Sequence, residues 1–368
     1  MPFIAPSILT VPLLKIKKAL KEVAGNNNNP DNKLQYADLI HVDVMDGKFV
    51  QQTTPFWNIK NVLFVKKNTT LPLITHLMVE HPKSVIKDYA KAGSSYISFH
   101  VESKDNINET LKECKKYNVK PGIAVNPETP VEQVFPYLKK IAYVLIMSVH
   151  PGKGGQEYMD VATRKIKKLD EIRKKHKFKF LIEVDGGIKE HNVYVPVNAG
   201  ADIIVSGTGV FNAENKKEVL AKMKEVILLG SDHGGYAFKE KLKKHLEQRS
   251  LMYKDIGTYS TESCDYPDYA KKVAKAIAAK KAKRGILICR SGAGMSVAAN
   301  RYKGIFASLC LNKKMAVQAR EHGNSNILCL GADLNTDKQL LEIADSWLDT
   351  TFSNEERHKR RIKKIDII

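Results

Sequence analysis

Residues 39–47 read Leu-Ile-His-Val-Asp-Val-Met-Asp-Gly, an apolar strand pattern carrying His41, Asp43 and Met45 at i, i+2 and i+4. Side chains along a strand alternate faces, so an imidazole, a carboxylate and a thioether share one face just before the Asp46-Gly47 turn. Burying such a row is costly unless something ligates it. Residues 73–79 repeat the pattern with His76 and Met78, and residues 180–187 end a strand on Asp185 ahead of Gly186-Gly187. Two imidazoles and two carboxylates suit one divalent first-row metal ion, Zn, Fe, Mn or Co, better than Mg or Ca, which prefer oxygen shells. Any one of His41, His76 or Asp185 alone reads as an interior polar group with a hydrogen-bond partner. The four together, each near a strand end that runs into a turn or loop, read as a ligand set.

The elements that must position these groups alternate short apolar strands with amphipathic helical stretches from Met1 to about Lys224. The pattern predicts strands near 3–7, 39–43, 73–76, 96–100, 121–125, 144–148, 180–185 and 203–206. Eight such units in roughly 220 residues predict a closed (β/α)8 TIM barrel, with its active site at the C-terminal strand ends. His41, Asp43, His76 and Asp185 fall at or near those ends. The segments Pro151-Gly-Lys-Gly-Gly-Gln156, Gly186-Gly187 and Ser206-Gly-Thr-Gly209 follow strands six, seven and eight. Glycine lets the backbone approach an anion and present N–H groups, and barrels usually hold phosphate in the loops after strands seven and eight. The Asn26–Pro30 tract falls between the first helix and the second strand and reads as a solvated loop away from the chemistry.

A second unit opens at Glu225, which divides the chain into domains 1–224 and 225–368. A strand runs into Gly230-Ser-Asp-His-Gly-Gly235 and a helix over 237–248. The loop 264–268, a helix near 269–280, a strand over 285–289, the loop Arg290-Ser-Gly-Ala-Gly294 and a helix near 295–300 follow. Further strands near 305–309 and 327–330 complete the pattern of a smaller open, Rossmann-like α/β domain. Cys289 ends a strand before a glycine loop that opens a helix, a place where backbone N–H groups can face an anion. Arg357 and Arg361 lie one helical turn apart and can grip one phosphate.

Composition narrows the classes. With 43% hydrophobic residues the chain can bury two cores, and no apolar run approaches the ~18 residues of a membrane span. The N-terminal residues Met1–Thr10 show neither a basic leader nor a small-residue cleavage site, so a cytoplasmic protein is expected. Five cysteines without a CxxC argue against a disulfide framework and a cysteine-rich zinc site. The formal charge of +20 invites a nucleic-acid reading, yet only ten of the 60 basic residues are Arg, none before Arg164, and most Lys lie on helical faces. No nucleic-acid motif appears. The positive field suits small phosphorylated substrates instead.

The first 220 or so residues resemble ribulose-phosphate 3-epimerase. The resemblance rests on Ala5-Pro-Ser-Ile-Leu9, His41-Val-Asp-Val-Met-Asp-Gly47, His76-Leu-Met-Val79, Gly152-Lys-Gly-Gly-Gln156, Glu183-Val-Asp-Gly-Gly-Ile188 and Val205-Ser-Gly-Thr208. It implies that His41, Asp43, His76 and Asp185 bind a divalent metal and that Asp43 and Asp185 are the catalytic acid/base pair. It further implies that Ser7, Gly152, Lys153, Gly154, Gly155, Gly186, Gly187, Gly207 and Thr208 take the sugar phosphate, with His76 and Asp185 also against substrate. Lys153, Ile74 and residues 51–55 depart from the usual pattern without removing a ligand.

From Glu225 onward the chain resembles type B ribose-5-phosphate isomerase. The matching segments are Gly230-Ser-Asp-His-Gly-Gly235, Asp265-Tyr-Pro267, Leu287-Ile-Cys289, Ser296-Val-Ala-Ala-Asn300, Ala319-Arg-Glu-His322 and Arg357-His-Lys-Arg-Arg361. The resemblance implies Cys289 as catalytic base, His322 as ring-opening acid, Arg357 and Arg361 as phosphate clamp, and Asp232 and His233 at the substrate. It also places Arg290, Ser291, Gly292, Ala293 and Gly294 around the substrate, with no cofactor in this half and at least a homodimer through it. Arg290, Gly323 and Asp333 depart from the usual pattern. Together the resemblances imply a bifunctional pentose phosphate enzyme whose partners are small sugar phosphates, with neither nucleic acid nor membrane. Two alternatives stand beside it: one half acting on a hexose or hexulose 6-phosphate, or a C-terminal half that is a silent oligomerisation or sensing module.

Overall fold

The structure, a computed structural model, describes residues 1–24 and 36–365, so the Asn26–Pro30 tract lies outside the described residues. The chain forms two compact units, Pro2–Lys224 and Glu225–Ile368.

In the first unit eight parallel strands follow one another around a ring: β1 (Phe3–Pro6), β2 (Ile40–Met45), β3 (Leu73–Met78), β4 (Ser94–His100), β5 (Lys120–Val125), β6 (Tyr143–Met147), β7 (Leu181–Asp185) and β8 (Ile203–Ser206). The barrel expected from the alternation of strands and helices is the fold found, with each strand within a few residues of its expected place. A parallel bridge between Ser7 and His41 joins β1 to β2. Every residue of β2 and β3 is buried, because helices cover the outer faces while the inner faces fill the barrel.

The barrel interior is stratified. Ala5, Leu39, Ile74, Tyr143, Leu145 and Ile203 belong to one buried apolar cluster, and the ionisable residues sit further along the same strands. On β3 the inward series runs Ile74, His76, Met78; on β2 it runs His41, Asp43, Met45, in register with it. The Tyr143 ring lies across β5 at Gly122, its register partner, where a Cβ would stand 2.3 Å from the ring. Glycine at 122 therefore makes room for the largest side chain of that cluster.

The second unit is a five-stranded parallel sheet in the order β10-β9-β11-β13-β12. Its strands are β9 (Ile227–Ser231), β10 (Tyr253–Asp255), β11 (Arg284–Cys289), β12 (Ala307–Leu309) and β13 (Ile327–Gly331). Helices Tyr236–Gln248, Lys313–Glu321 and Asp337–Asp349 contribute Phe238, Leu242, Ala316, Ile343 and the fully buried Trp347 to its core. The short edge strand β10 was not among the strands expected from the sequence. No helix among the described residues is long and apolar enough to cross a membrane.

Replacing Gly122 by Ala must push Tyr143 against its neighbours, and overpacking of this kind costs about 1–3 kcal/mol. Urea unfolding of Gly122→Ala should show that loss in the barrel transition; an unchanged midpoint would mean that the ring moves aside freely.

Candidate functional site

The strand period places the ionisable groups of the barrel. His41 and Asp43 come from β2, His76 from β3 and Asp185 from the last position of β7, all facing inward. Each offers one ligand atom, and these four atoms lie within 4.8 Å of one another. His41 Nε2 is 3.2 Å from Asp43 Oδ1 and 3.6 Å from Asp185 Oδ2. His76 Nδ1 is 3.4 Å from Asp43 Oδ1 and 3.9 Å from Asp185 Oδ2. It is buried and makes no hydrogen bond. A bare imidazole nitrogen aimed at two carboxylates is the arrangement a divalent cation satisfies, and two imidazoles with two carboxylates are a donor set for a first-row metal. The residues present fit such an ion.

Electrostatics separate the two carboxyls. Burial pushes Asp43 up, but the imidazoles of His41 and His76 beside it outweigh it and hold Asp43 well below the usual carboxylate range. Asp185 is pushed up to about 7 by burial, reinforced by the charges of Asp43 and Glu183 against the pull of His41. Burial lowers His41, yet Asp43, Glu183 and Asp185 together raise it well above its ordinary value. His76 falls to about 4, through burial and the neighbouring His100 and His41, against the pull of Asp43.

Further side chains enter the site that sequence reasoning passed over. Glu183, fully buried two residues before Asp185, lies 3.3 Å from His41 Nδ1. His100, at the end of β4, meets His76 Nε2 at 2.8 Å, and Glu102 meets His100 Nδ1 at 3.1 Å. The signal was in the sequence: both Glu183-Val-Asp185 and His100-Val-Glu102 have the same i, i+2 spacing at a strand end.

Above the cluster a cleft of about 570 Å³ is lined by Asp43, Asp185, the three thioethers Met45, Met78 and Met147, and the glycine loops. Ser7, Gly152, Lys153, Gly154, Gly155, Gly186, Gly187, Gly207 and Thr208 all border it, while His41 and His76 lie fully buried beneath. Ser7 Oγ donates to Asp43 Oδ2 at 2.6 Å. The loops are tied down by short bonds: Ser148 Oγ to the carbonyls of Asp185 and Gly186 at 2.8 and 2.7 Å, and Gln156 Nε2 to those of His150 and Lys153, both at 2.7 Å. Gly187 has a φ of +65°, and a Cβ there would stand 2.3 Å from the backbone nitrogen of Tyr158. Only glycine lets those two loops pass so closely.

In the second unit one group of the expected residues gathers at the C-terminal edge of the sheet. The Cys289 thiol is buried and accepts from the Gly292 N–H at 3.1 Å. Asp232, bonded through its N–H to the Ile288 carbonyl, follows β9 beside it, and its Oδ1 accepts from Gly235 N–H at 2.9 Å. His233 Nδ1 is 3.2 Å from the Cys264 N–H. Arg290 and Asp333, two departures from the family pattern, face each other at 3.5 Å. Ser291, Gly292, Ala293 and Gly294 form the turn into helix Ala293–Ala299.

The other group lies elsewhere. His322 caps the C-terminal end of helix Lys313–Glu321, which leaves the C-terminal end of β12 and returns to the start of β13. Its ring packs on His358 of helix Glu356–Ile365 at 4.4 Å, and that helix also carries Arg357 and Arg361. His322 and Cys289 therefore stand at opposite edges of a parallel sheet. A six-residue strand such as β11 separates the edges by about 16 Å.

A closed α/β barrel whose mouth gathers two imidazoles and two carboxylates under glycine loops has the donor set for a divalent ion and backbone N–H groups for an anion. Residues 3–211 match the family model of the Ribulose-phosphate 3 epimerase family, and residues 227–365 that of Ribose/Galactose Isomerase. The chain belongs to the ribulose-phosphate 3-epimerase family and carries, C-terminal to the barrel in sequence, a domain of the ribose/galactose isomerase family, as the sequence motifs implied. It is 38% identical to the ribulose-phosphate 3-epimerase of Aquifex aeolicus over 192 residues, 52% of this chain and 86% of that one. It is 35% identical to that of Bacillus subtilis over 222 residues, 60% of this chain and 97% of that one. A solved ribose 5-phosphate isomerase from Thermotoga maritima is 49% identical, covering 39% of this chain and 99% of that one, with a TM-score of 0.38.

The raised Asp185 carboxyl has a consequence for stability. Its folded value of about 7 exceeds the ~3.9 of an unfolded aspartate, so its contribution is full below ~4 and is lost as pH rises through about 7. In chelator-treated protein the melting temperature of Asp185→Asn, minus that of the unsubstituted chain, should therefore widen between pH 5 and 8. A gap that stays level across that range would contradict the raised value.

Proposed function

We propose that the chain is a bifunctional pentose phosphate enzyme. Its barrel epimerises D-ribulose 5-phosphate at C3 to D-xylulose 5-phosphate, and its smaller domain interconverts D-ribose 5-phosphate and D-ribulose 5-phosphate through an enediolate. The observation that carries the barrel reading is the buried His41, Asp43, His76 and Asp185 set beneath the glycine loops of a family barrel. These four residues would hold one divalent ion, Zn, Fe, Mn or Co. When bound, that ion supplies a Lewis acid that spreads enediolate charge.

Inversion at a carbon beside a ketone needs a proton removed from one face and another delivered to the opposite face. Asp43 and Asp185 rise from β2 and β7, separated in the ring by β1 and β8. Their carboxyls are pushed in opposite directions, the pattern that divides a pair into base and acid. Asp43 takes the proton and Asp185 delivers one in one direction; the roles exchange in the other. Met45, Met78 and Met147 keep water from the reacting carbon, and the loops around Gly154, Gly187 and Gly207 offer backbone N–H groups to the phosphate.

In the smaller domain Cys289 moves the proton between C1 and C2, with the 290–294 turn presenting N–H groups to the enediolate. His322 would open the sugar ring, and Arg357 and Arg361 would hold the phosphate. Because Cys289 and His322 stand at opposite sheet edges, one copy cannot bring both to one substrate. The active form is therefore at least a homodimer, each site pairing the Cys289 edge of one copy with the His322 edge of another. All five cysteines are free, four of them buried, which suits the reducing cytoplasm.

A coupled assay of the purified chain on ribulose 5-phosphate, scoring xylulose and ribose phosphates separately, tests the reading. Asp185→Asn should lower xylulose 5-phosphate formation by at least ~10²-fold, as should removal of metal by a chelator, and retained epimerisation in either case would refute this mechanism. Cys289→Ala should abolish ribose 5-phosphate formation and leave epimerisation nearly unchanged; joint loss with an intact fold would mean misassigned sites. Mixing Cys289→Ala with His322→Ala protein under subunit exchange should restore isomerase activity that neither has alone. Failure of a demonstrably mixed oligomer to do so would mean that Cys289 and His322 do not serve the same site.

A further inference from the structure

Beyond the ligand set, the barrel contains a line of polar groups, fully buried at its histidine end, that stays outside the cleft and meets the ligand set at His76. His76 Nε2 lies 2.8 Å from His100 Nε2, and His100 Nδ1 lies 3.1 Å from Glu102 Oε2. Glu102 Oε1 accepts from the Asn126 N–H at 2.9 Å. The Asn126 carbonyl accepts from Lys165 Nζ at 2.6 Å, and the carbonyls of Pro127 and Thr129 fill the rest of that ammonium. Both imidazoles are fully buried, and Phe49 covers His100 with ring centroids 4.7 Å apart.

The direction of each bond follows from its end. Glu102 accepts from the Asn126 N–H at Oε1 and meets His100 Nδ1 with Oε2, so the carboxylate is the acceptor at both oxygens. His100 Nδ1 must donate to it. With that ring proton on Nδ1, His100 turns Nε2 to His76 as an acceptor, and the 2.8 Å contact is filled by a His76 Nε2–H. The remaining ring nitrogen of His76, Nδ1, is left with its lone pair, and it is the atom without a hydrogen bond that faces Asp43 and Asp185. Asp43 needs no proton from it, since Ser7 Oγ and His41 Nε2 already reach its two oxygens at 2.6 and 3.2 Å.

We infer that His100 and Glu102 are positioning residues of the metal site: a one-way hydrogen-bond relay, anchored through Asn126 and Lys165, that keeps the His76 proton on Nε2 and its Nδ1 lone pair turned to the cation. The inference rests on the metal reading of the barrel cluster. Neither residue is a ligand, and neither borders the cleft.

Glu102→Gln tests the direction while keeping size and contacts. The Asn126 N–H still requires an oxygen, so the amide nitrogen turns to His100 and donates to Nδ1. His100 must then carry its proton on Nε2 and donate to His76, whose own proton moves to Nδ1 and blocks the site. Two readouts follow: nitrogen NMR of the ring atoms in metal-free, histidine-labelled protein, and Co2+ affinity by competition with a chromophoric chelator. The unsubstituted chain should show His76 bare at Nδ1; Glu102→Gln should show it protonated there and bind Co2+ about 10–100-fold more weakly. A proton on His76 Nδ1 in the unsubstituted metal-free chain would overturn the relay without any variant, even if Glu102→Gln fails to fold. Unchanged Co2+ affinity in a folded Glu102→Gln protein would overturn it as well, with the metal reading intact. No Co2+ binding by the unsubstituted chain would overturn the metal reading and the relay with it.

Discussion

Asp43, Asp185 and Glu183 are brought together with His41 and His76 at the mouth of a barrel where water barely reaches them. Removing such groups from water costs on the order of several kcal/mol per ion, and the cost is recovered only where partners and hydrogen bonds are complete. Within the protein the pairing is not complete. His41 answers Asp43 and Glu183, while His76 Nδ1 faces Asp43 and Asp185 without a hydrogen bond. The rest of the barrel follows from that imbalance. The apolar layer of Tyr143, Leu145 and Ile74 cannot yield, so the four ligand atoms stay within reach of one another. The thioethers of Met45, Met78 and Met147 close the space around them without adding a competing charge.

Toward the substrate end the barrel uses backbone rather than side chains. Among the described residues, the basic side chains bordering the cleft are Lys153 and His150, and both belong to a loop. In the proposed reading phosphate recognition falls mainly to N–H groups of glycine turns, with Ser148, Ser206 and Gln156 fixing the loops from behind.

The strand period made His41, Asp43, His76 and Asp185 legible, since two-residue spacing on an apolar strand reports a face directly. The same spacing in His100-Val-Glu102 and Glu183-Val-Asp185 was equally visible, but the roles of His100 and Glu183 depend on which strands stand beside them. His100 matters because β4 adjoins β3, and Glu183 because it faces His41 across the barrel. Local spacing carries neither fact. In the smaller domain the three residues of β10 were too few for any period to register, and its pairing with β9 supplies what its own sequence does not. Arg290 and Asp333, separate oddities along the chain, become one charged pair once β11 and β13 lie in register at Cys289 and Gly331.

The two proposed activities meet the same chemical need, a proton moved at a carbon next to a carbonyl, with different means. The barrel gathers carboxylates and imidazoles on inward strand positions, so a single copy holds every group that its reaction needs. The open sheet cannot do this. In a parallel sheet each crossover helix carries the chain from the C-terminal edge back to the other, so a residue at the end of such a helix lies a full strand length from residues at strand ends. His322 ends the helix after β12 while Cys289 ends β11, and no adjustment of loops brings them together within one sheet. If both serve one substrate, a second copy must supply one of them, and the chain as a whole is then held to an oligomer by its smaller half, whatever the barrel could do alone.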